Sequence, residues 1–301
     1  MALTFLPDSR QTLSVEEYVE HIKGVDLSNW DSLAESAPML RALANDRTLV
    51  VQRLNQEIEK SFRTSYLPSA QTIFLGGGTN FYVRAAIWPS SAAVSGGHLY
   101  QDKFAYHIAH DHNFSFLTVN YLGPGYETEI YEYDHKSIEG YPGEPVALKF
   151  LEKVKFTQGV MLYRASRDVH IQYPPEELSV TLNLMVTTPE IAARDQYYFD
   201  TARKVILDCA PDTNASKNVS LMKLAGHLGD GMTRELLAKL AKTHPNPRAR
   251  LHAYDALTLQ EPERASEVWE SACNDHAPLV VNAARQNLRR LGARQQGVPR
   301  R

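Results

Sequence analysis

The residues of this chain best suited to chemistry are histidines. His110 and His112 stand in the run from Tyr106 to Val119, where the aromatic and β-branched content predicts strands over 104–109 and 115–121. Residues i and i+2 of a strand share a face, so these two imidazoles aim together. Asp111 points away from them, and His107, three residues from His110, lies on the opposite face. Two imidazoles on one face supply half of a metal site. The spacing alone is a weak signal, because eleven histidines in 301 residues give about 0.4 such pairs by chance. His170 strengthens it. It lies in a segment from Gly159 to Leu184 that reads as strand, turn, His and strand.

Other side chains could serve the same site. Tyr121 precedes a tight Gly-Pro-Gly turn, and Tyr126, Glu127 and Glu129 follow it. Alternation there puts Glu127, Glu129 and Tyr131 on one strand face, where either glutamate could act as a carboxylate ligand or general base. Tyr121 or Tyr126 could donate a hydrogen bond to bound oxygen. Arg84, on its own strand, is a candidate clamp for a substrate carboxylate, and Arg164 or Arg167 could hold an anion from another direction. Gly76-Gly77-Gly78 is not a phosphate loop, because no Lys-Ser/Thr follows it.

These residues need a scaffold. Ser14 and Glu17 form a capping-box pattern ahead of Tyr18, Val19 and Ile22. A second apolar periodicity predicts a helix over 39–62. From residue 72 to 186 the texture changes to seven or eight short strands separated by Gly and Pro clusters, which suggests a sandwich or a barrel-like jelly roll. From about residue 190 the pattern is helical again. His244–Leu257 and Asp275–Leu288 align at an offset of 31 residues, so that Pro247 matches Pro278, Ala253 matches Ala284 and Leu257 matches Leu288. A Pro opening each helix and small residues midway suit stacked helical layers. The divisions expected are 1–68, a helical layer packed on the β domain; 69–190, the β domain; and 191–301, a helical domain resembling HEAT repeats.

The H-x-H strand, the distal His170 segment and the stretch Phe81–Pro89 together resemble the cupin and non-haem iron oxygenase superfamily over roughly residues 72–187. The resemblance implies an α+β chain with a central double-stranded β-helix, in which His110, His112 and His170 hold a divalent metal. Fe(II) is the usual occupant, and Zn, Ni or Cu remain alternatives. Positions 113–119 lack the glutamate that many cupins place after H-x-H, so a three-His set, like that of thiol dioxygenases, fits better. Glu177-Leu-Ser179 stands where 2-oxoglutarate enzymes carry Arg-x-Ser, and its negative charge would repel a dicarboxylic cosubstrate. Three neutral imidazoles leave a divalent site at +2, which favours a substrate that chelates through carboxylate, thiolate or enolate. The function implied is an Fe(II)-dependent oxygenase or oxidase using O2. Its substrate would be a small molecule or a peptide- or carrier-bound amino acid, with the C-terminal helices available to a protein partner. The alternative is a non-redox metal-binding cupin: a zinc or nickel isomerase or lyase, or a ligand sensor.

Composition excludes several classes. Lys and Arg total 32 against 35 Asp and Glu, too even a balance for general nucleic-acid binding. No apolar run approaches the roughly 18 residues of a membrane span. Two cysteines, Cys209 and Cys273, build neither a disulfide framework nor a thiolate cluster. The opening residues lack the basic and apolar regions of a secretory signal. The expectation is a cytoplasmic protein.

Overall fold

The computed structural model describes residues 3–62, 71–95, 104–192, 194–210 and 214–295. It divides into two compact units. One comprises residues 1–135, 145–192 and 196–205, and the other residues 136–144, 193–195 and 206–301.

The first unit opens with β1 (Leu3–Phe5), α1 (Val15–Lys23), α2 (Trp30–Glu35), α3 (Ala37–Ala44) and α4 (Leu49–Ser61). The capping box forms at α1: the Glu17 amide donates to Ser14 Oγ and the Ser14 amide to Glu17 Oε2. The helix expected over 39–62 is broken into α3 and α4. Asp46 Oδ1 accepts from both the amide and the hydroxyl of Thr48, at 2.9 and 2.7 Å. That local turn competes with helix continuation.

Then follow β2 (Thr72–Gly78), β3 (Phe81–Trp88), α5 (Ser91–Ser95), β4 (Ala109–His110), β5 (Ser115–Leu122), β6 (Tyr126–Glu132), β7 (Lys149–Phe156), β8 (Val160–Tyr163), β9 (Asp168–Tyr173), β10 (Ser179–Val186), α6 (Pro189–Ala192) and β11 (Tyr197–Asp200). They build two antiparallel sheets. The strand order in one is β1-β8-β5-β10-β3-β2, and the other contains β11-β4-β9-β6-β7. Gly123 and Gly125, at φ +81° and +76°, carry the chain from β5 in the first sheet to β6 in the second, through a conformation only glycine adopts readily.

Alternation along the strands produces two cores. Val83, Leu117, Val119, Leu182 and Leu184 pack on Tyr18, Ile22, Leu33, Leu40 and Leu43 of the helices. Trp88, Phe116, Met161, Tyr163 and Met185 face Tyr126, Ile130 and Phe156 across the space between the sheets. Each fully buried Leu or Phe contributes about 1.5–3 kcal/mol, so the helical layer stabilises the sheet that it covers.

Two departures from expectation matter for the site. The strand expected over 104–109 shrinks to the two-residue β4, because Ala105 and His107 take left-handed backbone conformations that interrupt an extended run. The stretch after residue 190, expected to be helical, instead supplies β11, which pairs with β4. Residues 196–205 belong to the first unit. The division expected at 68 falls outside the described residues.

The chain leaves the first unit at Val205, the first residue of β12 (Val205–Cys209), and continues into α7 (Asn214–Leu228), α8 (Gly231–Thr243), α9 (Pro247–Gln260), α10 (Ala265–Ala272) and α11 (Pro278–Gln295). Pro247 and Pro278 open α9 and α11 at the expected offset, and Ala253 and Ala284 are both fully buried. Arg250 is buried at the start of α9. Its guanidinium forks onto both oxygens of Asp275, each at 2.8 Å, and also donates to the carbonyl of His244. Among the described residues, no helix is long and apolar enough to cross a membrane.

Candidate metal centre

Antiparallel pairing of β4 with β9 sets His110 directly opposite His170, and the chain returns His112 to the same face two residues later. His110 Nε2 lies 3.2 Å from His170 Nε2, and His112 Nε2 lies 3.1 Å from it. The ligand nitrogens of all three lie within 4.8 Å of one another. With metal–nitrogen bonds of about 2.1 Å, separations of 3.1 and 3.2 Å subtend roughly 95–100° at a shared centre. Each of these two pairs has the spread of adjacent ligands on one metal ion.

Protonation favours the same reading. His110 Nδ1 lies 2.9 Å from the carbonyl of Ile108. A carbonyl only accepts, so Nδ1 carries the proton and Nε2 presents its lone pair to the centre. Burial lowers the pKa of His110, against a smaller upward pull from Ile108. Burial, together with His110, holds His170 well below the usual imidazole range. Burial, followed by His110, His170 and Arg84, does the same for His112, with Gln196 opposing. Three neutral imidazoles at neutral pH are poised as ligands. A single proton can bridge His170 Nε2 to only one of its neighbours, whereas a cation satisfies all three lone pairs.

Aromatic packing fixes the rings. Phe114 stacks on His112 at 4.3 Å between centroids, and Tyr163 meets His170 edge-on at 4.7 Å. Phe116 stacks on Tyr163 and touches His112 and His170. Ser166, itself left-handed at φ +52°, donates its amide to the carbonyl of His112 and so holds the loop that carries it.

The remaining expected residues separate into those on the inner face and those turned away. Arg84 lies in register with Asn183 of β10. Its Nε is buried without a hydrogen-bond partner, burial lowers its pKa, and its charge is felt at His112. Tyr126 is also inside, 4.8 Å from the Trp88 ring, and burial pushes its pKa up to about 12 against hydrogen bonding from Gln172, Thr118 and Tyr163. Phe114 and Phe116 pack against the histidines, and Met161 belongs to the same core cluster as Phe116.

Glu127 and Glu129 do not reach them. The alternation was read correctly but the face was not: Thr128 and Ile130 are buried inside, and the glutamates face out. There Lys153 pairs with both, at 2.8 and 3.3 Å, and the hydroxyls of Tyr131 and Tyr173 donate to Glu129. Tyr121 lies on the helix side of β5, where its hydroxyl donates to the Asp46 carbonyl and Arg47 covers its ring. Arg164 is held by Asp168 through two contacts of 2.6 and 3.0 Å, and Arg167 pairs with Glu132. Both are engaged in these ion pairs.

Sequence reasoning passed over Thr118, Thr181 and Asn183, which place polar atoms between the sheets. Thr118 donates to Asn183, and Trp88 Nε1 donates to Thr181. The signal was present in Ser179–Val186, where Thr181 and Asn183 alternate with Val180, Leu182 and Leu184. No family model matches the chain, and it matches none of the curated proteins.

Proposed function

We propose that this chain is an Fe(II)-dependent oxygenase or oxidase of the double-stranded β-helix type, acting with O2 on a small anionic substrate that chelates the metal. The observation that carries the reading is the convergence of three neutral imidazoles, joined by no carboxylate among the described residues. Strand order supports the fold assignment: the eight strands β3 to β10 distribute as β3-β10-β5-β8 and β4-β9-β6-β7, the interleaving of a rolled-up hairpin.

His110, His112 and His170 would hold the metal, which when bound supplies Lewis acidity and one-electron chemistry at the positions that the protein leaves open. Arg84 receives the substrate anion and orients it; its buried Nε has no partner, so an anion there supplies the acceptor that this nitrogen lacks. Phe114, Phe116 and Met161 exclude water from the reacting face. Tyr126 stays protonated at neutral pH and offers a hydrogen-bond donor within the chamber. Arg164 and Arg167, the other arginines considered for a cosubstrate carboxylate, are engaged with Asp168 and Glu132. A closed structural zinc site loses support, because it needs a fourth protein ligand and Glu127 and Glu129 face outward; an open three-His zinc or nickel site is the alternative that the metal analysis below separates.

The test is metal analysis of anaerobically purified protein, followed by oxygen uptake across a panel of amino- and thiol-carboxylates. Iron retained by the wild type and lost from His110→Ala, His112→Ala and His170→Ala, with substrate-triggered uptake, is the expected result. Full occupancy by zinc with no uptake across the panel overturns the oxygenase reading, and retention of metal by any of the three variants removes that ligand.

A further inference from the structure

Asp111, the residue between the two histidines of β4 and its loop, has no part in the chemistry above, yet it is 0% exposed. A buried carboxylate needs donors. Its Oδ2 accepts from the Tyr133 hydroxyl and its Oδ1 from the Tyr197 amide, both at 2.6 Å, and its own amide donates back to the Tyr197 carbonyl. Both oxygens therefore take donors, the pattern of an ionised acceptor, and both bonds are as short as charge-assisted ones. Tyr133 continues the chain to His135 Nδ1 at 3.2 Å, and its amide is fixed by the Arg167 carbonyl. Asp111 thus fastens the H-x-H segment to β11 on one side and to the end of β6 on the other.

We propose that Asp111 is a positioning residue for the metal centre: its carboxylate fixes the backbone from which His110 and His112 project, and places a negative charge behind a cation held by neutral ligands alone. This rests on the metal-centre reading. The two histidines are adjacent to it on either side, so a twist of the backbone at Asp111 changes the angle between their Nε2 atoms directly. β4 is only two residues long and His112 lies beyond its end, so the ladder alone leaves His112 weakly restrained. Asparagine in place of Asp111 keeps one acceptor for the Tyr197 amide, but turns an NH2 group toward Tyr133 and removes the charge. The fold is thereby spared while the restraint on the imidazoles is relaxed.

The experiment uses the full chain loaded with Co(II), whose visible ligand-field bands report geometry and whose dissociation constant is measured by chelator competition. Wild-type loading comes first; failure to take Co(II) refutes the metal centre itself, whatever Asp111 does. With loading established, Asp111→Asn is expected to weaken Co(II) binding 10- to 100-fold and to shift the bands, with the metal-free melting temperature little changed. Tyr133→Phe, which leaves the Tyr197 bond, is expected to move both readouts in the same direction by a smaller factor, and it serves if Asp111→Asn fails to fold. Arg250→Met, in the other unit, destabilises without touching the site and must leave the bands unchanged. Wild-type bands and affinity in folded Asp111→Asn, or in Tyr133→Phe should the first variant not fold, overturn the proposal.

Discussion

Burying three imidazoles against one another makes metal-free stability depend on acidity. All three have pKa values held below the ordinary histidine range by burial. The unfolded chain therefore takes up protons near pH 6.5 that the folded chain refuses. Stability from this source is complete above pH 6.5 and falls as pH drops below it, at about 1.4 kcal/mol per proton per pH unit. For His112 and His170, held well below that range, the limiting slope is about 2.7 kcal/mol per unit and the loss between pH 7.5 and 5.5 is also about 2.7 kcal/mol, to which His110 adds a smaller part. That is a large share of the roughly 5–15 kcal/mol that holds a domain together. The assay is urea denaturation of chelator-stripped protein at both pH values, followed by circular dichroism. His170→Leu isolates one proton: the loss should shrink by about 1.4 kcal/mol. At pH 7.5 the variant should be at least as stable as the wild type, because the imidazole it removes has a buried Nδ1 with no partner. Stability that is flat between the two pH values, or a variant with the wild-type dependence, would refute the reasoning.

Three other outcomes follow from named contacts. Asp275→Ala strands the buried Arg250 guanidinium and is expected to cost about 3–5 kcal/mol in chemical denaturation; Arg250→Met with Asp275→Leu should recover most of it. Tyr18→Phe removes a buried hydroxyl without a partner, so its denaturation midpoint should be unchanged or higher. Glu127→Gln and Glu129→Gln should leave metal content unchanged by elemental analysis, since both carboxylates lie outside with Lys153; loss of metal from either would return a carboxylate to the ligand set.

Much of the site was legible because the i, i+2 rule is short-range. His110 and His112 had to share a face if the run was extended, whatever the rest of the chain did. The capping box at Ser14 and the paired Pro247 and Pro278 are local in the same way. What the pattern could not reveal was orientation. Glu127 and Glu129 alternate as expected, but which side of β6 faces inward depends on β7 and β9, distant in sequence. Tyr121 was misplaced for the same reason: β5 is buried on both faces, so hydrophobicity does not distinguish the helix side from the histidine side. The break between α3 and α4 depended on Asp46 and Thr48, whose turn is readable, but it was outweighed by the apolar period around it. β11 was hidden by brevity, four residues between stretches of helical character.

Every residue of β10 is buried, so the strand has no solvent side to mark its pairing. Sliding it by one position would expose nothing; it would exchange a row of aliphatics for a row of polar groups, setting leucines against Arg84 and threonine against the helices. Alignment and chamber polarity are therefore inherited as one property. An insertion or deletion in this strand would break both rows at once, whereas point changes at Thr181 and Asn183 alter the polar row while the aliphatic row keeps the fold.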